Sequence, residues 1–267
     1  MDEEPPAQTP LVGAVRHAWE HLAGSSMQFS ETSPPRVVVA PTSHLCPPGW
    51  CGLVTIAGAT IATAPDTAHA DVLQRGLQDV LAGASTGPTP QSSSMLARRL
   101  PVSDVLGPTD LAYLLTFPTS GTSPSTFPNS APSAAPSTAA QGVDVHVLEV
   151  ADPLVRKLVA TCSVDDAAEA AIDTLTSPAF VVLRDGAALA VAGYEHWPSS
   201  IAHLCVLTHP GARGAGLARA AAAAAGDHAL RAGLLPQWRA RPIASQRIAR
   251  TLGYRSLGHQ LSLRLAL

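Results

Sequence analysis

The sequence has few of the residues that mark several common protein classes. Its four cysteines, Cys46, Cys51, Cys162 and Cys205, show no paired metal-binding spacing, so we expect no metal site. The first residues lack the basic and apolar regions of a signal peptide, and no apolar run is long enough to span a bilayer. We therefore expect a cytoplasmic protein that has reduced thiols and does not bind a membrane.

Acidic residues are nearly absent from the last quarter of the chain. Residues 201–267 contain nine arginines and a single acid, Asp227, whereas residues 1–200 contain eight basic and nineteen acidic residues. A basic region of this kind favours an anionic ligand. Nucleic acid is not expected, because the arginines are scattered and not interleaved with aromatic residues. The sequence also has neither a Gly-x-Ser-x-Gly elbow nor a Walker lysine motif, which argues against a hydrolase of that type and a P-loop enzyme.

A segment with almost no apolar or charged residues divides the chain. Residues 116–141 are nearly all Ser, Thr, Pro and Ala, so we predict a disordered linker or long surface loop at 116–142. Residues 1–115 are predicted to form an N-terminal α+β domain. Its expected elements are a helix near 11–22, strands at 36–40, 53–57 and 59–63, a helix at 68–81, and a turn into another helix at 106–113.

The remaining part, residues 143–267, has clear boundaries between its elements. Asp152 and Ser163 are capping residues that predict the starts of two helices, the second running to Leu175. Asp185-Gly186 predicts a hairpin between two strands. The predicted order is β-α-α-β-β-β-α-β-α, followed by one or two final strands. This order predicts an α/β fold with a mixed sheet.

The most informative segment joins a strand to a glycine-bearing helix start. The apolar run 204–207 is followed by Pro210 and by Arg213-Gly-Ala-Gly-Leu-Ala218. The first turn of a helix has free N–H groups and a partial positive charge, and glycines let a ligand approach that backbone. We predict an anion-binding cradle, most often used for a pyrophosphate. A dinucleotide-binding fingerprint is disfavoured for two reasons. Arg219 occupies the position, three residues after Gly216, where that fingerprint has a glycine or alanine, and no acidic residue that could bind a ribose lies about twenty residues further along the chain.

This segment resembles motif A of the GNAT acetyltransferase superfamily, Arg/Gln-x-x-Gly-x-Gly/Ala. The order of elements, the Asp185-Gly186 hairpin and the ending Leu252-Gly253-Tyr254 are also similar to that family. The resemblance implies a GNAT-like N-acetyltransferase domain at residues 143–267. The N-terminal α+β extension would then be either a degenerate acetyltransferase-like half or a cap that shapes the acceptor side.

The resemblance also implies a reaction and a cofactor site. An amine would attack the thioester of acetyl-CoA directly while both substrates are bound. The backbone of residues 206–208 would pair with the pantetheine amides and stabilise the oxyanion, and the amides of residues 213–218 would hold the pyrophosphate. The implied cofactor-binding residues are Val206, Leu207, Thr208, Arg213, Gly214, Ala215, Gly216, Leu217, Ala218 and Ser245.

The general acid and base of the family are not matched in this sequence. Ser200 stands where many members have a glutamate, and Ala249 stands where many have a tyrosine. The remaining catalytic candidates are Glu195, which would deprotonate the amine, and His203. Each also has a structural interpretation, Glu195 as a solvated loop acid and His203 as a satisfied histidine within the sheet.

Two alternatives therefore stay open beside acetylation of a small-molecule amine. One is a non-catalytic sensor or scaffold that binds acyl-CoA, which the absent acid and base favour. The other is acetylation of protein N-termini or lysines. The sequence does not indicate the acceptor or the oligomeric state.

Overall fold

A computed structural model describes residues 8–24, 27–84, 87–115 and 143–267, which fold into helices around one large sheet. The helices are α1 (Gln8–Ala23), α2 (Thr67–Val80), α3 (Pro90–Arg99), α4 (Pro153–Thr161), α5 (Val164–Ala170), α6 (Leu217–Arg231) and α7 (Ile243–Thr251). The strands are β1 (Val37–Val39), β2 (Cys51–Ile56), β3 (Ala59–Ala64), β4 (Val102–Tyr113), β5 (Val145–Leu148), β6 (Ala179–Arg184), β7 (Ala187–Trp197), β8 (Ile201–Thr208), β9 (Leu235–Ala240) and β10 (Arg255–Leu265).

The ten strands form one mixed sheet in the order β1-β3-β2-β10-β4-β9-β8-β7-β6-β5. The pairs β1–β3 and β8–β9 are parallel, and the other neighbours are antiparallel. Strand β4 lies between β9 and β10, so residues before and after the predicted linker share one sheet. The predicted class, a mixed α/β fold with an N-terminal extension, is confirmed.

Helices cover both faces of the sheet, and the alternation of side chains along β8 shows which helix lies on which face. Ile201 packs in the cluster formed with α1, and Cys205 packs in the cluster formed with α4. Ala202 and Leu204 point to the opposite face, into the cluster formed with α6. The cleft between β8 and β9 is therefore bounded by α5 on one side and by α6 and α7 on the other.

Helix α6 packs closely on the sheet because its buried side chains are small. Ala221, Ala222 and Ala225 are fully buried against β7 and β8. The helix begins after Gly216 and ends before Gly233, which has a φ of +73°. Gly233 has the left-handed conformation that commonly ends a helix, as the sequence predicted. This close packing fixes the N-terminus of α6 beside the end of β8.

The predicted elements of residues 143–267 are confirmed, with one difference in length. The second helix, expected to run to Leu175, ends at Ala170 because Ala171 takes a left-handed φ of +45° and a 3₁₀ turn follows at Ile172–Thr174. The last segment forms the single strand β10.

The prediction of a turn into a helix at residues 106–113 is wrong. This segment belongs to the twelve-residue strand β4, which pairs with β9 and β10. Gly107 and Pro108 do not form a turn. They lie where the register shifts between Thr109↔Gln260 and Leu106↔Ser262, which is a bulge. Pairing on both edges outweighs the local signal, and a bulge accommodates a proline that has no N–H to donate.

Helix α3 was not predicted from the sequence. Its start is defined by a capping box in which the side chain of Thr89 accepts from the Ser92 backbone and the side chain of Ser92 accepts from the Thr89 backbone. Pro90 occupies the first turn, where a missing N–H costs nothing. The Thr-x-x-Ser spacing was the available signal, but Ser replaces the usual Glu or Gln.

Within the described part of the chain, no helix is long and apolar enough to cross a membrane. The same residues contain no group of three or more His, Cys, Asp and Glu side chains that could hold a metal ion. The predicted linker at 116–142 lies outside the described residues, and the division of the chain into domains stays a prediction.

Candidate active site

A cleft opens in the sheet where the parallel strands β8 and β9 separate. They pair over three residues only, from Ile201↔Leu235 to His203↔Gln237. Beyond this point β8 continues to Thr208, while β9 pairs through its other edge with β4. The cleft leads into a cavity of about 740 Å³, a volume in the range of small-molecule sites.

The backbone of β8 presents unpaired polar groups to this cleft. The N–H of His209 donates to the carbonyl of Leu189 across the β7–β8 pair, at 2.9 Å. Because antiparallel residues alternate between paired and unpaired positions, the N–H and C=O groups of Val206 and Thr208 point away from β7. This part of β8 can therefore accept an extended ligand as an additional strand.

The glycine loop at the mouth of the cleft has the backbone conformation of an anion cradle. Gly214 and Gly216 have φ values of +81° and +76°, which favour glycine. A Cβ built on either residue would meet no heavy atom within 4 Å, so the space over the loop is open. Gly216 caps α6 without a side-chain hydrogen bond, which leaves first-turn N–H groups available.

A second helix also starts at the cavity. Helix α7 begins after Pro242, which provides no side-chain cap, and Pro242, Ala244 and Ser245 all line the cavity. The positive ends of two helix dipoles, from α6 and α7, therefore face one space. This arrangement favours a ligand that carries several negative charges.

Helix α5 is joined by ion pairs to both sides of the cleft. Nη2 of Arg213 lies 2.9 Å from Oδ2 of Asp166, and Arg241 pairs with Glu169. The hydrogen bond from Ser163 and then the pairing with Arg213 hold the pKa of Asp166 below its usual value. Both pairs are solvent-exposed, so we expect them to add little stability. The charges of Arg213 and Arg241 are nevertheless each partly neutralised by a carboxylate of α5.

His203 lies under the cleft in a largely desolvated position. Its Nδ1 is 3.1 Å from Oε1 of Gln237, whose Nε2 donates to Oη of Tyr113. The indole of Trp19 donates to the same hydroxyl at 2.7 Å, so α1, β4 and β9 all contribute to the network. Burial, and secondarily the charge of Arg239, lower the pKa of His203 to about 3. The imidazole is therefore neutral at physiological pH.

Glu195 and Arg239 lie close to His203 on the same face of the sheet. Glu195 is paired in register with His203, and its Oε2 accepts a hydrogen bond from Nε1 of Trp197 at 2.9 Å. The indole of Trp197 stacks on the imidazole of His203, with ring centroids 4.3 Å apart. Cζ of Arg239 lies 5.8 Å from the same indole. One aromatic ring therefore contacts a carboxylate, an imidazole and a guanidinium.

The opposite wall of the cleft is aromatic. Nε1 of Trp238 donates to Oγ of Ser245 at 2.9 Å, which fixes this serine at the start of α7. Trp238 also packs edge-on against Tyr254, with centroids 5.4 Å apart. The hydroxyl of Tyr254 is buried without a hydrogen-bond partner among the described residues, and burial raises its pKa. Trp238 thus lines the cavity, and Tyr254 belongs to the core behind it.

Most of the predicted site residues line one cavity. They are His203, Val206, Leu207, Thr208, Arg213, Gly214, Gly216, Leu217, Ala218 and Ser245. Ala215 is exposed on the loop, and Glu195 lies beside His203 on the neighbouring strand β7; neither is among the residues that line the cavity. The roles assigned to these residues stay predictions.

Five polar residues at the site were missed from the sequence: Asp166, Glu169, Arg219, Gln237 and Arg239. The predicted strand at 235–240 contained a signal for two of them, because Gln237 and Arg239 alternate with apolar neighbours and must share one face. The acids of α5 gave no comparable signal, since their position depends on how that helix packs over the cleft.

Part of the chain matches a known protein family. Residues 178–259 match the family model described as GNAT acetyltransferase. The chain is similar in structure to a putative GNAT-family acetyltransferase from Novosphingobium aromaticivorans DSM 12444, with 18% identity and a TM-score of 0.39. The alignment covers 61% of this chain and 65% of that protein, so the chain spans less than two thirds of its length.

Two further solved structures are similar over more of the chain. A GCN5-related N-acetyltransferase-like protein from Streptococcus suis 89/1591 has 18% identity and a TM-score of 0.41, covering 81% of this chain and 84% of that one. A GCN5-related N-acetyltransferase from Kribbella flavida has 16% identity and a TM-score of 0.42, covering 79% and 88%. No curated protein sequence matches the chain significantly.

The matched residues include β7, β8, the glycine loop, α6, β9 and α7, which together form the cleft. Residues 178–259 therefore resemble a GNAT acetyltransferase domain, and the match covers less than half of the chain, so the activity of the whole protein is a proposal. The resemblance found in the sequence is confirmed at the level of the family. The role of the glycine motif itself is a separate proposal.

Proposed function

We propose that the protein is an N-acetyltransferase that moves an acetyl group from acetyl-CoA to an amine while both substrates are bound. The observation that carries this proposal is the coincidence of two features in one cavity. Strands β8 and β9 separate beside unpaired backbone groups, and an open glycine cradle stands at the N-terminus of α6. The first feature suits an amide-containing arm and the second suits a pyrophosphate.

The residues present fit acetyl-CoA as a substrate. The free N–H groups after Gly214 and Gly216 would hold the pyrophosphate, helped by the helix dipole. Val206 and Thr208 would pair with the pantetheine amides through their backbone. Ser245, fixed by Trp238, would contact the cofactor from the opposite wall. Acetyl-CoA would supply the activated acyl group as a thioester.

Glu195 is the base that we propose. A free amine must lose a proton as its nitrogen bonds to the acyl carbon and the carbon–sulfur bond breaks. The carboxylate of Glu195 would take that proton directly or through water, and the departing CoA thiolate would be protonated by solvent. Trp197 orients the carboxylate through its Nε1 hydrogen bond. His203, with a pKa of about 3, is a weak base, so we assign it an uncharged hydrogen-bonding role.

A non-catalytic acyl-CoA sensor is the second candidate, and a specific observation favours it. Ala249 is 1% exposed and lies within the core, so it offers no general acid at the position where many family members have a tyrosine. Ser200, the other departure, has a φ of +61° in the turn between β7 and β8. The sensor would bind acetyl-CoA in the same cavity but would release no CoA.

Release of CoA distinguishes these two functions. We expect thiol production when acetyl-CoA and a panel of amines are incubated with the protein, and we expect none without an amine. Small amines, a peptide N-terminus and a lysine side chain should all be included, because the acceptor is not defined. Binding of acetyl-CoA without thiol release for any of these acceptors would support the sensor.

The role of Glu195 is tested by Glu195→Gln. We expect turnover to fall by about a hundredfold or more, the usual contribution of a general base, with unchanged affinity for acetyl-CoA. Glu149→Gln removes an exposed carboxylate in the loop after β5 and is the matched control. Equal turnover in both variants would remove Glu195 from the mechanism.

A further inference from the structure

Two arginines that line the cavity, Arg219 on α6 and Arg239 on β9, form no ion pair among the described residues, and Arg239 is the one beside His203. Arg213 and Arg241 each pair with a carboxylate of α5, whereas Arg239 forms no ion pair among the described residues. Its only hydrogen bond there is from Nη1 to Oε1 of Gln260, at 3.4 Å. Arg239 lines the cavity, so its guanidinium faces the space that a ligand would occupy.

Aromatic packing, and not an acid, holds this guanidinium in place. Cζ of Arg239 lies 5.8 Å from the ring centroid of Trp197, which is within the range of a cation–π contact. Trp197 is itself fixed by stacking on His203 and by an edge contact with Trp19, whose ring centroid is 6.2 Å away. Apart from the long hydrogen bond to Gln260, the donors of the guanidinium are not used by other described residues, while its position is restrained.

A carboxylate stands next to the same indole, but it does not contact Arg239. Nε1 of Trp197 donates to Oε2 of Glu195, which leaves the other carboxylate oxygen free. The site thus presents a negative and a positive group that are separated, since they form no ion pair. Between them lies His203, which contributes no charge because burial lowers its pKa to about 3.

We propose that the acceptor is an amino acid or a similar amine that carries a carboxylate. Its amine, after losing the ammonium proton to solvent, would face Glu195, and its carboxylate would take a bidentate pair of hydrogen bonds from Arg239. The proposal rests on the proposed function, because it names the acceptor of the same reaction. An amine without a carboxylate would make no such pair with Arg239 and would lose this charged hydrogen bond.

The test compares amines that differ only in the carboxylate. Glycine, L-alanine and L-phenylalanine are each measured against their carboxamides, and β-alanine and 4-aminobutyrate extend the distance between the two charges. We expect kcat/KM for the best acid to exceed that of its carboxamide by about tenfold to a hundredfold, the range of a charged hydrogen bond. The preferred chain length would report the separation of Glu195 and Arg239.

Substitution of Arg239 should abolish this preference without affecting the cofactor. In Arg239→Gln we expect the acid and the carboxamide to become equal, chiefly through a higher KM for the acid, with unchanged affinity for acetyl-CoA by calorimetry. Arg239→Lys keeps the charge and should retain part of the preference. Arg184→Gln, which removes an exposed arginine at the β6–β7 hairpin, is the matched control and should behave like the wild type.

The outcomes separate this inference from the proposed function. Failure to bind acetyl-CoA, or to release thiol with any amine, would contradict the proposed function. Thiol release with equal rates for acids and carboxamides would overturn the inference alone. Weaker acetyl-CoA binding in Arg239→Gln, together with an equal loss for acids and carboxamides, would also overturn it, because Arg239 would then act on the cofactor.

Discussion

Replacing Gly214 by glutamate should eliminate the binding of acetyl-CoA while leaving the fold intact. Gly214 has a φ of +81° and open space where a side chain would project. Glutamate there adds bulk and a negative charge to the space that we assign to the pyrophosphate. The structural effect is limited to a left-handed conformation at a non-glycine residue, which costs about 1–2 kcal/mol of stability.

The expected effect on binding is larger than the effect on stability. Two unit charges about 5 Å apart, with an effective dielectric constant of about 20, repel each other by about 3 kcal/mol, which corresponds to more than a hundredfold in affinity. Steric exclusion from the cradle adds to this. The affinity should be measured by calorimetry and the melting temperature by thermal unfolding.

Gly186→Glu is the matched control for this variant. Gly186 has a φ of +73°, and a Cβ built there also meets no heavy atom within 4 Å, but it lies in the β6–β7 hairpin. The two variants should therefore lose similar stability, and only Gly214→Glu should lose affinity. If Gly214→Glu is folded and binds acetyl-CoA as tightly as Gly186→Glu does, the cradle is not the cofactor site.

Three other predictions concern charge, pH and packing. Asp166→Asn should release Arg213 and raise the affinity for acetyl-CoA a few-fold by calorimetry, whereas unchanged affinity would show that Arg213 does not reach the ligand. Burial lowers the pKa of His203 to about 3 in the folded protein. Between about pH 6.5 and pH 3 the imidazole is therefore protonated in the unfolded chain but not in the folded one, so the free energy of unfolding falls as the pH falls through this range. Urea unfolding at pH 7 and pH 5 should show a loss of about 2 kcal/mol from this residue, absent in His203→Gln. Gly258→Ala should lower the melting temperature strongly, because its Cβ would lie 1.7 Å from the carbonyl oxygen of Thr55; an unchanged melting temperature would contradict that close approach.

The elements that the sequence predicted well are those with strong local signals. Asp152 and Ser163 cap α4 and α5, Asp185-Gly186 turns the β6–β7 hairpin, and Gly233 follows α6. Each of these signals depends on a few neighbouring residues, so it can be interpreted without knowledge of the rest of the fold. The glycines of the cradle belong to the same class, since a positive φ at a helix start requires them.

The strand β4 shows why other elements were missed. Its central residues Gly107 and Pro108 predict a break, and only pairing with β9 and β10, more than a hundred residues away, makes the segment a strand. Local propensity cannot report such distant partners. The position of β4 also brings Tyr113 beside Gln237, which completes the network under His203.

The group of residues around His203 likewise depends on how distant strands pair with one another. Glu195, Trp197 and His203 come together because β7 and β8 pair in one register, and Arg239 joins them through the parallel pairing of β8 with β9. The sequence suggested Glu195 and His203 separately. It did not indicate that His203 is desolvated enough to be a weak base, because that property arises from its burial and, secondarily, from the charge of Arg239 on a distant strand.

Titration of the purified protein with acetyl-CoA by calorimetry tests the central claim most directly. NAD is the control, because it also carries a pyrophosphate and an adenosine but has no pantetheine arm to pair with β8. We expect saturable binding of acetyl-CoA with a micromolar dissociation constant and no binding of NAD. An absence of acetyl-CoA binding would contradict the account, because the glycine loop would then be only a structural turn.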